Sequence, residues 1–289
     1  MKKLLLTLTN LVLVLSIFAQ NQPKDQKSKG MAFVPAGSFQ RKTTLNSESR
    51  TVNTTVEAFW MSNEVTNVEY REFVNWVKKN PNQRLYQVKL SREVISDPQK
   101  GTMKDTIIRK IIPIEVSSII SELIDPQCLE RANKEYKNYF TDPKYNDYPV
   151  VGVSFKMAEY YCLWKTTMEN EKLKEQGLPN MHAYRIPLEA EWEYVAQQNI
   201  KSKATDASTG KIQKVNEGTI NEFGLMHLND NVSEWVTSNK EETGLVRGGS
   251  WKSGSSIAER IITDPNSKEP FVGFRIVQSY LQTGTTKKK

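Results

Sequence analysis

Residues 185–194 read Arg-Ile-Pro-Leu-Glu-Ala-Glu-Trp-Glu-Tyr and join a short extended segment to the start of a helix. We predict a helix from Leu188 to Gln197, with Glu189 and Glu191 in its first turn, where carboxylates interact favourably with the helix dipole. Glu193 follows in the next turn. We expect these three carboxylates to serve capping and surface ion pairing rather than acid–base catalysis.

Two further helices are predicted upstream. Thr66 and Glu69 have the spacing of a capping box, in which the hydroxyl and the carboxylate satisfy free N–H groups at a helix start. Apolar side chains then fall on one helical face, at 70, 73, 74 and 77, and residues 80–82 (Asn-Pro-Asn) end the helix. Ser154 is expected to cap the second helix, in which apolar side chains recur at Met157, Tyr161, Trp164 and Met168.

Short strands surround these helices. Residues 31–39 predict a strand pair around a Pro-Ala-Gly turn, residues 56–61 a further strand, and residues 147–153 a buried strand. Residues 82–146 are interpreted as an insertion with structure of its own, since they are too long for a bare loop. Beyond residue 215 the chain is rich in glycine and predicts short elements only. Without alternation of strands and helices, the pattern favours an α+β domain with much irregular structure.

The composition is that of a globular protein of 289 residues, 38% hydrophobic and 25% charged, long enough for one large domain or two small ones. Five positive charges lie near the chain ends, and removing them from the net charge of +7 leaves +2 for the body. We therefore expect no nucleic-acid partner. Two histidines exclude a three-histidine metal site, and two cysteines exclude a four-cysteine zinc site.

The first 19 residues are predicted to be a signal peptide, because Lys2 and Lys3 precede a short apolar stretch that ends at Ala19. The alternative is a membrane anchor. Residues 20–30 are interpreted as a flexible linker and residues 281–289 as a disordered basic tail. No cysteine follows the apolar stretch, so no lipid attachment is expected there. The prediction is an exported protein, periplasmic or associated with the outer membrane through partners.

Seven segments form an ordered series that resembles the formylglycine-generating-enzyme-like, or sulfatase-modifying-factor, domain. They are residues 31–39, 64–73, 148–164, 185–194, 221–236, 246–251 and 272–275. The resemblance implies a compact C-type-lectin-like α+β fold over residues 31–280, with one long insertion at 82–146. Within the family, residues 139–153 and 71–77 look most like the GldK and GldJ group of gliding-motility and type IX secretion proteins. This chain is short for that group and lacks its lipidated cysteine, which favours a paralogue.

The resemblance also bears on catalysis. Formylglycine-generating enzymes use two cysteines that bind copper, and these would fall shortly after residues 248–251. Here residues 252–260 contain no cysteine. Ile276 stands at a position where the wider family commonly has a further cysteine. Iron-dependent relatives need three histidines, which this chain lacks. The resemblance therefore implies a non-catalytic protein with no catalytic residue, and a divergent oxidoreductase is the least favoured alternative.

Calcium is the one cofactor that the resemblance suggests. In the enzymes, a loop aligned with residues 227–234 holds Ca²⁺, which maps here to His227, the carbonyls of Asp230 and Val232, and the Glu234 carboxylate. Ca²⁺ prefers oxygen ligands, so His227 weakens the match. Asp230 replaces a usual glycine and is expected to need a positive φ. The alternative is that Glu234 and Asn231 only satisfy backbone groups of the loop.

Export would permit a disulfide between Cys128 and Cys162. The alternative for Cys162 is a buried free thiol, because it lies in a helix-like stretch where a free cysteine packs well.

Two function classes compete. The leading hypothesis is an exported scaffold that binds proteins of the type IX secretion or gliding machinery, with residues 82–146 as an interface and oligomers allowed. The runner-up is a glycan- or ligand-binding lectin-like module in which Trp235, Trp251 and Phe271 stack on a ligand. The alternative for these aromatic side chains is a place in the core.

Overall fold

The computed structural model of the chain describes residues 30–45, 48–97, 102–198, 210–218, 220–237, 244–254, 256, 258 and 260–280. The predicted signal peptide (1–19), residues 20–29 of the predicted linker and the predicted tail (281–289) lie outside these ranges. Within them, no helix is both long enough and apolar enough to cross a membrane.

The first of two four-stranded sheets joins strands from both ends of the described chain. Its order is β1 (Met31–Val34), β4 (Phe59–Glu64), β12 (Arg275–Ser279) and β7 (Tyr184–Arg185). All three pairings are antiparallel. The two central strands are apolar and buried, with Trp60 and Met61 on β4 and Ile276 and Val277 on β12.

The predicted strand pair at residues 31–39 was wrong in its partners. Two strands form, but β1 pairs with β4, while β2 (Gly37–Leu45) pairs with β3 (Glu48–Val56) in a separate hairpin. Pairing with β4 places Phe33 opposite Trp60, with ring centroids 5.1 Å apart. β1 thereby gains an aromatic cross-strand partner, a contact that stabilises antiparallel pairs.

The second sheet has the order β10 (Arg260–Thr263), β9 (Gly244–Arg247), β8 (Ser233–Val236) and β11 (Val272–Gly273). β11 runs parallel to β8, and the other pairs are antiparallel. Every residue of β8 and β9 is buried, so the centre of this sheet lies inside the molecule, while its edge strand β10 alternates exposed and partly buried residues.

The helix predicted from the capping box is confirmed as α1 (Asn67–Lys79). The Thr66 hydroxyl accepts a hydrogen bond from the Glu69 backbone N–H, and the Glu69 carboxylate accepts one from the Thr66 N–H at 2.9 Å. The predicted apolar face is buried, and the helix ends before Asn80.

The buried strand predicted at residues 147–153 does not form a strand. Residues 149–153 are buried, but the backbone bonds to separate loops: the Val150 N–H donates to the Val65 carbonyl and the Gly152 N–H to the Glu269 carbonyl. Hydrogen bonds to several partners satisfy a buried backbone as well as a ladder does. Ser154 then caps α3 (Phe155–Glu175) as predicted.

Helices α1 and α3 pack through aromatic rings and form the main core. Tyr70 stacks on Tyr161 with centroids 5.7 Å apart, and Phe73 contacts Trp164 at 5.5 Å. Met157 is fully buried and Met168 packs against the same core from a less buried position.

Residues 82–146 contain a long antiparallel ribbon and several short turns. The ribbon is β5 (Arg84–Asp97) paired with β6 (Thr102–Glu115). Its base is held by Leu85 and Ile114, which lie opposite each other and are buried in the main core. After the ribbon come 3₁₀ turns at Val116–Glu122, Lys134–Tyr136 and Pro143–Tyr145, and the short helix α2 (Cys128–Ala132).

The predicted disulfide does not form. Cys128 and Cys162 are both buried free thiols that belong to different hydrophobic clusters, the first beside Leu129 and Tyr136, the second inside α3 against the main core. The alternative of a packed free cysteine is thus the one that the structure supports. Burial raises the pKa of the Cys128 thiol to about 12 and also raises that of Cys162.

Candidate functional site

The loop before β8, residues 227–232, is the region for which calcium was predicted. His227 and Asn231 adopt positive φ angles of 57° and 63°. A positive φ was expected at Asp230, but Asp230 is not one of the residues with a positive φ in the described part of the chain. The left-handed positions therefore fall on neighbouring residues, and asparagine in particular tolerates this conformation.

The Glu234 carboxylate lies at the centre of the molecule and is bound by protein donors. Arg275 donates to it twice, Nε to Oε2 at 2.6 Å and Nη2 to Oε1 at 2.5 Å. Trp192 Nε1 donates to Oε2 at 2.7 Å. Both carboxylate oxygens are thus engaged, and the positive charge that Glu234 faces is a guanidinium.

His227 supplies a second positive charge to this loop. Its Nδ1 lies 2.8 Å from Asp230 Oδ1, and its Nε2 lies 3.1 Å from the Lys214 carbonyl oxygen. Both partners are acceptors, and only the protonated imidazole donates from both nitrogens. Burial would lower the pKa of His227, but the Glu64 charge and the hydrogen bond to Asp230 raise it. Both contacts therefore favour the imidazolium form of the ring.

Asn231 completes the polar interior of the loop. Its amide nitrogen donates to Glu64 Oε1 at 3.0 Å, and its amide oxygen accepts from the Gln213 backbone N–H at 2.8 Å. Asn231 thus satisfies a backbone group of the loop. This is the role predicted for it under the alternative to calcium binding.

These contacts leave no free oxygen on Glu234 for a Ca²⁺ ion. Ca²⁺ takes six to eight oxygen ligands, but the Glu234 carboxylate, the one charged ligand expected beside the carbonyls of Asp230 and Val232, is engaged by Arg275 and Trp192. Among the residues that the structure describes, no group of three or more His, Cys, Asp or Glu side chains is arranged to hold a metal.

The stretch after residues 248–251 forms a tight turn. Ser250 pairs with Gly254, and its hydroxyl lies 3.1 Å from that of Ser253. A Cβ on Gly249 would lie 1.9 Å from the Gly254 carbonyl oxygen, so this position has no room for any side chain. The Gly-Gly-Ser sequence thus serves close backbone packing. Ile276, which stands where the wider family has a further cysteine, is buried in the main core.

A cleft with a volume of about 540 Å³ lies along α4 (Glu189–Ala196). Glu189 and Glu193 form its acidic component, and both are more than 90% buried. The prediction of surface ion pairing was therefore wrong for these two residues, because arginines from distant strands cover them. Capping is confirmed at Glu191, whose carboxylate accepts from the Leu188 N–H at 2.8 Å.

Three arginines bind the two carboxylates. Arg41 contacts Glu189 Oε2 at 3.0 Å and Glu193 Oε2 at 2.7 Å. Arg247 contacts Glu193 Oε1 at 2.7 Å, and Arg260 contacts Glu189 Oε1 at 2.6 Å. Burial would raise the pKa of Glu189, but Arg260 and Arg41 lower it, whereas burial raises the pKa of Glu193 in spite of Arg247 and Arg41.

Sequence reasoning missed these arginines. Arg41 lies on β2, Arg247 ends β9 and Arg260 begins β10, so no local pattern links them to the helix that carries the glutamates. Arg247 does fall inside the quoted segment 246–251, and that segment was the only signal pointing to it.

Of the three aromatic side chains proposed for ligand stacking, one is fully buried and two are partly exposed. Trp235 is fully buried, and its indole N–H donates to the Val153 carbonyl at 2.8 Å, so it is a core residue. The Trp251 indole N–H donates to the Pro270 carbonyl, and Lys252 Nζ lies 4.6 Å from the Phe271 ring centroid.

Comparison with known proteins identifies a family whose profile matches most of the chain. The profile of the sulfatase-modifying factor enzyme 1-like domain matches residues 17–280. Two relatives named "Inactive C-alpha-formylglycine-generating enzyme 2" match as well: the Mus musculus protein is 26% identical over 168 residues and the Bos taurus protein 25% over 166. Each match covers 45% of this chain. The chain spans about half the length of these relatives (49% and 50%).

Solved structures agree with the fold. CarF covers 87% of this chain with a TM-score of 0.53 at 17% identity, over 98% of its own length. PvdO from Pseudomonas aeruginosa covers 88% with a TM-score of 0.52 at 18% identity, over its full length (100%). At such low identity these likenesses concern the fold alone, and they confirm the expected α+β architecture with much irregular structure.

Proposed function

The chain belongs to the sulfatase-modifying factor enzyme 1-like domain family, and from this premise we propose that it is a non-catalytic, exported scaffold that binds proteins of the type IX secretion or gliding-motility machinery. It would act in the periplasm or at the outer membrane, held there by its partners. The observation that carries the proposal is a family framework in which the stretch 252–260 contains no cysteine.

The non-catalytic part of the proposal draws on the positions of the thiols. Both cysteines of the chain are buried, and burial raises the pKa of each, so neither presents a reactive thiolate. The mouse and bovine relatives carry the word "inactive" in their names. A family member without accessible thiols is suited to binding rather than to oxidation.

The assignment to the GldK and GldJ group draws on two segments that contact each other. Arg71, on α1, donates hydrogen bonds to the Phe140 carbonyl and to the Asn146 side chain. Its guanidinium also lies 5.8 Å from the Phe140 ring centroid. The two sequence segments that resemble this group, 71–77 and 139–153, thus form one packed unit at the end of the insertion.

The ribbon of β5 and β6 is the surface that we assign to the partner. Strands of 14 residues reach about 45 Å at the usual rise per residue. Beyond the buried base, one face carries Tyr86, Val88 and Ile111, which are 56%, 43% and 57% exposed. Val88 lies opposite Ile111 in the pairing register, so these side chains form a continuous apolar strip.

The test is affinity purification of a tagged copy from lightly crosslinked native envelopes, followed by mass spectrometry. We expect recovery of type IX secretion or gliding components with the unaltered chain. The triple variant Tyr86→Thr, Val88→Thr, Ile111→Thr should lose them, because threonine keeps strand propensity while removing apolar area.

A matched control changes the opposite face of the same ribbon, with Gln87→Thr and Lys110→Thr, and should retain the components. Recovery of none of these proteins by the unaltered chain would overturn the proposed machinery. Equal recovery by the triple variant would overturn the assigned surface.

A further inference from the structure

The cleft beside α4 has more positive than negative charge. The lining that the structure describes contains four cationic side chains, Arg41, Lys42, Arg247 and Arg260, against the two carboxylates of Glu189 and Glu193. The surplus is therefore two positive charges. Neither the proposed scaffold function nor the family comparison accounts for this surplus.

The carboxylates are already paired with guanidinium groups within the protein. Each of their four oxygens lies within 3.0 Å of a guanidinium nitrogen of Arg41, Arg247 or Arg260. Arg247 and both glutamates form a buried floor, with side chains less than 10% exposed. Such a floor holds its charges in fixed positions, because buried pairs are costly to disrupt.

Arg260 and Arg41 retain N–H donors that their contacts with the glutamates do not use. Arg260 is bound to Glu189 through Nε, its side chain is 44% exposed, and its two terminal nitrogens contact no protein acceptor among the described residues. Arg41 is 18% exposed and lines the same cleft, next to the exposed Lys42. Guanidinium groups bind phosphate and carboxylate oxygens through two parallel hydrogen bonds.

The cleft geometry also favours an anion. A concave surface with walls of low dielectric constant concentrates the field of its charges and raises the local concentration of counter-ions. A volume of about 540 Å³ accommodates a small organic molecule. A phosphate monoester carries close to two negative charges at neutral pH, whereas a single carboxylate carries one.

The geometry points to a binding site for a small ligand with a phosphate monoester group, held by Arg260, Arg41 and Lys42 above the buried floor of Arg247, Glu189 and Glu193. This inference is independent of the proposed scaffold function, because no described residue of the ribbon of β5 and β6 lines the cleft.

The experiment is isothermal titration of the full-length protein with inorganic phosphate as the probe, against sodium chloride of equal ionic strength. We expect saturable binding of one phosphate that chloride does not reproduce. Arg260→Gln should weaken it at least about tenfold, since a charge-assisted contact to the oxyanion is lost. Lys172→Gln, which removes an exposed charge on α3 outside the cleft, should leave it unchanged.

A further variant separates a ligand site from a self-contained ion-pair network. Glu193→Gln raises the surplus charge of the cleft from two to three and should tighten phosphate binding, even if it lowers the melting temperature. Circular dichroism of each variant verifies the fold. Absence of saturable binding, binding that Arg260→Gln leaves intact, or weaker binding by a folded Glu193→Gln variant would overturn the site. A preference for succinate over phosphate would overturn the phosphate class.

Discussion

The Arg275 guanidinium and the Glu234 carboxylate face each other through two short contacts, 2.6 and 2.5 Å, with side chains that are 0% and 1% exposed. Arg275 starts β12 of the first sheet, and Glu234 lies on β8 of the second. The pair therefore joins the two sheets electrostatically. Arg275 also donates to the carbonyls of Ser62 and Met226, so one side chain connects three segments of backbone.

Removing one partner of this pair should be strongly destabilising. We expect Arg275→Met to lower the free energy of unfolding by about 3–5 kcal/mol, because it leaves the Glu234 charge buried without its counter-ion. Urea titration followed by circular dichroism measures this. Breaking the exposed pair Lys172–Glu169 with Lys172→Met should change stability by less than about 1 kcal/mol. Equal effects of the two substitutions would contradict the central role of Arg275.

Gly152 should not tolerate alanine. Its φ is 75°, and an added Cβ would lie 2.5 Å from Cys128 Sγ and 2.6 Å from the Asp125 carbonyl oxygen. Gly177 has a similar φ of 70° but open space around it, so Gly177→Ala isolates the conformational cost, about 1 kcal/mol. We expect Gly152→Ala to cost at least about 2 kcal/mol more, through overpacking. Melting temperatures of the two variants make the comparison, and similar values would refute the predicted clash.

Calcium should not stabilise this protein. Arg275 and Trp192 already engage both oxygens of the Glu234 carboxylate, the one charged ligand expected for the ion. Differential scanning calorimetry in EDTA and in excess CaCl₂ should give the same melting temperature. A bound ion present at about 100 times its dissociation constant would add about 2.7 kcal/mol, and a shift of that size would show that the loop does bind calcium.

The two thiols should be inert in the folded protein. Burial raises the pKa of Cys128 to about 12, so at pH 8 the thiolate that reacts with iodoacetamide is nearly absent. We expect labelling in urea and almost none without it, as followed by mass spectrometry. The folded pKa of Cys128 lies above the unfolded value near 9. The free energy of unfolding is therefore unaffected by this thiol below pH 9, and it falls as the pH rises from 9 towards 12, because the unfolded chain loses the thiol proton first. Rapid labelling of the folded chain at pH 8 would disprove the buried state.

The parts of the fold that local chemistry controls were predictable from the sequence. The capping box at Thr66 and Glu69, the Ser154 cap and the helix after Pro187 each depend on residues within one or two turns of each other. Residues 147–153 were misjudged for the opposite reason. Their apolar character correctly indicates burial, but the choice between a ladder and scattered hydrogen bonds depends on Val65 and Glu269, far away in the chain.

The candidate site shows the same division. The glutamates of α4 were recognised because they lie together in sequence, yet their burial depends on Arg41, Arg247 and Arg260, which arrive from three different strands. At Glu234 on β8, no local sequence pattern indicated that Arg275 and Trp192 would bind the carboxylate. Pairings over such distances follow from topology, which the order of motifs indicates only through resemblance to a family.

The position of β12 has a consequence for how the chain acquires its structure. β12 lies inside the first sheet, between β4 and β7, and its hydrogen bonds to β4 include two that join residues 213 and 214 positions apart. During synthesis, β4 has no permanent neighbour on that side until residues 275–279 have emerged. Closing so long a loop is slow, and the open edge of β4 exposes apolar side chains in the meantime. A chain interrupted before β12 should therefore aggregate or be degraded rather than persist as a folded fragment.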